Sequence, residues 1–151
     1  MIHVHAEPQY NNWIQAEVLQ KAAALTLMHE NYTPQAELTI VIDSNERLQQ
    51  LNRDFLGIDA PTDVLSFPSD EFDPDDQAQY VGDIIISFPL AEKQARAAGH
   101  PVINEIQLLV VHGTLHLLGH DHATESEKKV MWSAQAEILA ELDCQINQFP
   151  E

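Results

Sequence analysis

Basic residues are scarce. Seven Lys+Arg face twenty-four Asp+Glu, a formal net charge of −17. A deficit of that size argues against gripping nucleic acid along a broad basic face, so any polyanionic substrate must be held locally. The seven cations, Lys21, Arg47, Arg53, Lys93, Arg96, Lys128 and Lys129, predict a shallow salt dependence for such binding, because few counterions can be released. Cysteine is nearly absent as well. Cys144 has no cysteine to pair with, and a lone thiol fits a reducing compartment and a packing role. The N-terminal stretch MIHVHAEPQY has no basic segment followed by an apolar one, and no apolar run is long enough to span a bilayer. These absences lead us to expect a soluble, cytoplasmic protein with no membrane partner. With 151 residues and no internal repeat, one domain spanning residues 1–151 is expected. Much of the acidity sits in SDEFDPDDQAQ, Ser69 to Gln79, where like charges and proline predict an acidic mobile loop.

What is present alternates between two periods. IHVHA alternates apolar and polar residues, ELTIVID (Glu37–Asp43) is a β-branched run, and VLSF (Val64–Phe67) and VGDIIIS (Val81–Ser87) complete four predicted strands. Between them, Ile14, Val18, Ala22, Leu25 and Met28 recur at helical spacing, as do Leu48, Leu51 and Phe55 behind the N-cap candidate Ser44. Ser87 and Pro89 open the next helix and Gly99 closes it. Thr124 to Glu127 reads as a capping box before a last helix whose stripe is Val130, Met131, Ala134, Ile138 and Leu142. The order strand, helix, strand, helix, strand, strand, helix, helix, helix predicts an α+β fold: a small mixed four-stranded sheet flanked by about five helices.

The helix from about Val102 to Leu118 is apolar around most of its circumference, which marks it as interior. On its remaining face stand His112 and His116. Four residues turn a helix about 400° while rising about 6 Å, so the two imidazoles lie on one side. Gly119 ends the helix in the left-handed region, and three further residues span roughly 10 Å, enough for His122 to fold back toward the first two. Three neutral nitrogens then converge on a metal ion, with a fourth tetrahedral position open. This is a zincin-like metal-binding helix and turn. His120 competes for the third position; otherwise it lines the pocket or supports a ligand. His3, His5, His29 and His100 are expected in ordinary surface or packing roles.

The spacing matches the metzincin pattern H-E-x-x-H-x-x-G-x-x-H at every position but one. Gly113 stands where those peptidases carry their glutamate base, and a hydrogen cannot take a proton. Close helix packing is the expected reason for an interior helical glycine, which costs about 1 kcal/mol. Asp121, beside the ligand loop, is the candidate catalytic carboxylate, either orienting an imidazole or shuttling a proton. Thr62, Asp63 and Ser66 are placed where they could line the cleft.

Three ordered motifs, HGTLHLLGHDH (His112–His122), APTDVLSFP (Ala60–Pro68) and GDIIIS from Gly82, resemble the bacterial YbeY endoribonuclease family, also called the rRNA maturation factor family. The similarity runs from the helix containing Leu51-Asn52 through the terminal helix. It implies a zinc-dependent, single-strand-preferring endoribonuclease acting in ribosomal RNA maturation and ribosome quality control, with one Zn²⁺ per chain on His112, His116 and His122. The partners it implies are ribosomal RNA precursors and the ribosome, not DNA; the acidic surface suits basic ribosomal proteins. Many members have an arginine directly before the glycine in the segment preceding P-T-D-V-L-S-F-P, and here that residue is Leu56. Arg53, one helical turn earlier, is the candidate replacement for phosphate binding, alongside Ser66. Two alternatives stand beside this reading: a zinc peptidase or other metallohydrolase using Asp121 as base, and a non-catalytic ribosome-assembly factor in which His120 completes a structural zinc site.

Overall fold

The computed structural model describes residues 1–33, 35–69 and 79–146. Four strands, β1 (Ile2–Ala6), β2 (Glu37–Asp43), β3 (Val64–Pro68) and β4 (Tyr80–Ser87), alternate with α1 (Ala16–His29) and α2 (Asn45–Leu56), and α3 (Phe88–Ala98), α4 (Val102–Leu117) and α5 (Glu125–Glu141) follow. The sheet order is β1-β2-β4-β3. The first three strands in that order run parallel, and β3 pairs antiparallel to β4 along the edge. It is the α+β architecture that the strand and helix patterns predict. Of the acidic segment 69–79, residues 70–78 lie outside the described residues.

Local chemistry sets the boundaries. The Ser44 hydroxyl accepts from the Arg47 N–H, and Gly57 closes α2 at φ 72°. The Ser87 hydroxyl accepts from Leu90 N–H, with Pro89 in the first turn and Gly99 in the left-handed region at the end. Thr124 and Glu127 make the reciprocal capping box of α5. Each cap satisfies backbone groups that a helix end leaves unpaired, which is why these residues punctuate the chain.

The strand pleat divides the molecule. Leu38, Ile40 and Ile42 of β2 and Ile84 and Ile86 of β4, all fully buried, face a core completed by α1, α4 and α5. On the opposite face Leu65, Ile85, Val41 and Phe67 form a smaller cluster with Leu48 and Leu51 of α2. At the centre of the main core α4 is buried along eleven of its sixteen residues, which fixes it against the sheet.

Three apolar stripes differ from expectation. α1 begins at Ala16 rather than Ile14, because Asn11–Trp13 form a 3₁₀ turn ahead of it. Its buried residues are Leu19, Ala22, Ala23, Thr26 and Leu27, while Met28 is 62% exposed. This helix is wedged among β1, α4 and α5, so its buried arc is wider than one stripe and rotated from it. Phe55 is 67% exposed, touching Phe67 edge-on at 5.4 Å, because α2 covers a small sheet face and its last turn overhangs it. In α5, Val130 is 59% exposed and Gln135 is buried in the arc that Met131, Ala134 and Ile138 define.

Candidate metal centre

α4 places His112 and His116 one turn apart at its C-terminal end. Beyond it Gly119 adopts φ 101°, a backbone state that a residue with a Cβ rarely enters. That reversal returns His122 to the pair: one ring nitrogen from each of His112, His116 and His122 lies within 4.8 Å of the other two. The ring centroids are 4.6, 5.0 and 5.5 Å apart.

The tautomers follow from the neighbours. His112 Nδ1 donates to Gln135 Oε1 at 2.6 Å, and His116 Nδ1 donates to the His120 carbonyl at 2.9 Å. A carbonyl oxygen only accepts, so both protons sit on Nδ1 and both Nε2 atoms present bare lone pairs. Those two Nε2 atoms are 3.1 Å apart, where unshared lone pairs repel. Tetrahedral coordination with zinc–nitrogen bonds of 2.0–2.1 Å separates ligand nitrogens by roughly 3.3 Å, so this spacing suits a cation between them. Burial, with the neighbouring imidazoles adding to it, pushes His112 down to about 4, against the upward pull of its Gln135 bond. Burial followed by the nearby His122 lowers His116 as well. Both are therefore neutral at pH 7, the form that binds metal. The donor set fits a borderline-soft divalent ion such as zinc.

The trio opens onto a cleft of about 580 Å³, whose walls include Leu56, Thr62, Asp63, Ser66, Asp121 and Trp132. His122 is exposed, so an ion held here would remain accessible. Gly113 lies under the ligands with no room for a side chain: a Cβ there would stand 2.8 Å from Ile84 Cγ2 and 3.2 Å from Ser66 Oγ. Close packing of α4 on β4 accounts for the missing metzincin glutamate.

The other predicted residues are less uniformly placed. Ser66 lines the cleft with its hydroxyl donated to the Gly113 carbonyl at 3.1 Å. Asp121 lines it too, but Oδ1 accepts from the His122 N–H at 2.7 Å. It shapes the ligand loop through the backbone, and the rings are oriented by Gln135 and the His120 carbonyl instead. Arg53 is not among the cleft residues. Its guanidinium contacts Asp54 at 3.3 Å and Asp59 at 4.0 Å. His120 stays apart from the trio, its Nε2 bonded to Glu30 Oε1 at the end of α1.

Sequence reasoning missed the supports. Gln135 had a visible signal, a polar residue at i+4 from Met131 and i−3 from Ile138 on a buried helix face. Glu30 and Trp132 had none, because their contacts are made only in the tertiary fold. His29 and His100 are not isolated. His29 bridges Glu30 and Glu137, each at 2.7 Å, and buried His100 meets buried Glu105 at 2.6 Å.

Comparison with known proteins places this geometry in a family. The family model described as Endoribonuclease YbeY matches residues 3–143. The Endoribonuclease YbeY of Geobacillus kaustophilus is 44% identical over 133 residues, covering 83% of this chain and 85% of that one. The Endoribonuclease YbeY of Dehalococcoides mccartyi is 41% identical over 146 residues, covering 89% and 91%. Among solved structures, the solution structure of TM1509 from Thermotoga maritima superposes with a TM-score of 0.64 at 26% identity, over 94% of this chain and 89% of that one.

Proposed function

The chain belongs to the YbeY family, and on that footing we propose that it is a zinc-dependent endoribonuclease that cuts single-stranded RNA in ribosomal RNA maturation and ribosome quality control. One observation carries the metal dependence: two proton-free Nε2 atoms 3.1 Å apart, with a third imidazole beside them, at the wall of an open cleft. When bound, a divalent ion supplies a local double positive charge for a phosphate and acidifies water toward pH 7. His112, His116 and His122 hold it through uncharged nitrogens, so the ligands cancel none of that charge. Gln135 and the His120 carbonyl keep the proton on Nδ1 of His112 and His116 and aim their Nε2 lone pairs.

Asp121 is assigned the proton transfer, from the ligand loop it lines. Ser66 is assigned a substrate contact: its proton is committed to Gly113, so its oxygen accepts, as a ribose hydroxyl would require. A phosphate-binding role for Arg53 requires its release from Asp54 and Asp59. A local cation in the cleft offsets the repulsion of a chain carrying −17.

Gly113 removes the metzincin glutamate from the peptidase alternative and leaves it Asp121 as base; turnover of a peptide with no RNA cleavage would favour that reading. The structural-zinc alternative loses its fourth ligand, since His120 Nε2 is bonded to Glu30 and only three histidines converge among the described residues. The test is metal content and cleavage of a defined single-stranded RNA, side by side. We expect about one zinc per chain, and His116→Ala abolishing both zinc and cleavage. Full cleavage by a metal-free His116→Ala protein would refute the mechanism. A cyclic phosphate on the product indicates attack by the neighbouring 2′-hydroxyl; a 5′-phosphate indicates attack by water.

A further inference from the structure

The metal cleft has one aromatic wall, whose indole offers no lone pair to a metal. Trp132, from the second turn of α5, stands 5.8 Å from the His112 ring and 5.5 Å from the His122 ring, at interplanar angles of 80° and 76°. Its indole also borders a second, open depression of about 430 Å³ lined by Glu125, Ser126, Lys128 and Lys129. The Lys128 ammonium lies 5.6 Å from the indole centroid. One side chain is thus shared between the cleft and a neighbouring site that carries two cations.

Those cations stand out in this chain. Arg53 and Arg96 are engaged by carboxylates; among the described residues Lys21, Arg47, Lys93, Lys128 and Lys129 are in no ion pair, and of these Lys128 and Lys129 line the depression beside Trp132. With seven basic residues in all, two in succession beside the metal cleft do not reflect a generally basic surface. Ammonium groups beside a half-buried indole match the two parts of a nucleotide: a flat base with a π-face and a phosphate. The indole offers the first a stacking surface, and the lysines offer the second a counter-charge. Glu125, in the same depression, repels anions, so charge alone does not hold a polyanion there and the stack must contribute.

We propose that Trp132 is a stacking platform for an unpaired base next to the scissile phosphate, with Lys128 and Lys129 holding an adjoining phosphate. The inference rests on the RNA-cleaving reading of the cleft and adds to it the feature that selects single strands. A base in a duplex has both faces covered by its neighbours; only an unstacked base can lie against the indole.

The chain has two tryptophans, so Trp13→Phe, distant in the 3₁₀ turn, leaves Trp132 as the only indole to report. The zinc-loaded Trp13→Phe protein is titrated with a short single-stranded 2′-O-methyl phosphorothioate oligoribonucleotide. Parallel titrations use its duplex, the same oligomer with abasic sites, and a polyglutamate peptide. Saturable quenching by the single strand is expected, with weak responses to the other three. Trp132→Ala lowers affinity between about fivefold and about 150-fold, the range for losing one stacked base, and Trp132→Phe restores most of it. Lys128→Ala with Lys129→Ala flattens the salt slope by about 1.4, for two phosphate contacts on a single strand.

Two controls decide between stacking and packing. Abasic substitution should weaken binding to the parent but not to Trp132→Ala; an equal loss in both overturns the proposal. Zinc content must survive Trp132→Ala, because its loss would make the indole a packing support for the ligand rings. Equal quenching by polyglutamate also overturns the proposal. Cleavage of unmodified RNA without quenching sinks the platform and leaves the nuclease standing. Quenching without cleavage does the reverse.

Discussion

Gly113→Ala is the substitution whose cost can be worked most directly. The added Cβ would sit 2.8 and 3.3 Å from Ile84 Cγ2 and Cγ1 and 3.2 Å from Ser66 Oγ, whereas carbon pairs prefer 3.5–4.0 Å. Ile84 is fully buried in β4, between its neighbours β2 and β3, so it cannot swing clear. Overpacking by one carbon costs about 1–3 kcal/mol, and the better helix propensity of alanine returns about 1 kcal/mol. The net is a loss of about 1 kcal/mol, or about 2–4 °C in Tm for a chain of this size. Urea unfolding of the metal-free protein measures it. The explanation has a sharper consequence in a double-mutant cycle. In an Ile84→Ala background the two Ile84 contacts are gone and the 3.2 Å approach to Ser66 Oγ remains, so Gly113→Ala should stabilise by up to about 1 kcal/mol, a coupling of about 1–3 kcal/mol. Simple additivity, or a more stable single variant, would show that Gly113 is not there for packing. Because α4 also carries His112 and His116, the single variant should bind zinc more weakly than the parent.

Two further outcomes test the supports of the site. Gln135→Leu removes the acceptor for His112 Nδ1 and should weaken zinc binding about 10- to 100-fold, measured by competition with a chromophoric chelator; unchanged affinity would show that the ring is held by packing alone. The link between α1 and α5 should be pH-dependent. The bond to Glu137, with Glu30 adding, raises His29 above 6.5 despite burial, so its contribution is complete below pH 6.5 and lost as pH rises through the raised value. Glu30 is pushed up by burial but carried below 4.5 by its bonds from His120 and His29, so its contribution is present above pH 4.5 and lost in more acid solution. Urea midpoints of the parent minus those of His29→Ala should therefore be largest between pH 4.5 and 6.5 and shrink above; a flat difference would mean that His29 does not carry charge in this link.

How much of this was legible in the sequence depends on the range of each signal. Caps act within four residues, so Ser44, Ser87 with Gly99, and Thr124 with Glu127 marked helix ends that the structure places there. The convergence of His112, His116 and His122 was legible for the same reason. A helical i,i+4 pair followed by a glycine reversal is geometry confined to eleven residues. Stripes carry less, because a helix packed on several sides buries an arc that one periodic line cannot describe. That is why Met28 and Val130 emerge into solvent and Gln135 does not.

The groups that tune the site lie at the far end of that scale. Gln135 reaches His112 across 23 residues, and Glu30 reaches His120 across 90. No local pattern encodes such pairings, but the physics of burial demands them. A half-buried imidazole N–H without an acceptor costs about 1–3 kcal/mol, so ligands on an interior helix require polar partners somewhere in the surrounding layers. The sequence therefore predicts that such partners exist without naming them, and a buried polar residue on the helix that covers the ligands is the place to look. Gln135 satisfies that search. Glu30 shows its limit: it acts on the ligand loop through His120, whose carbonyl, not its ring, touches His116.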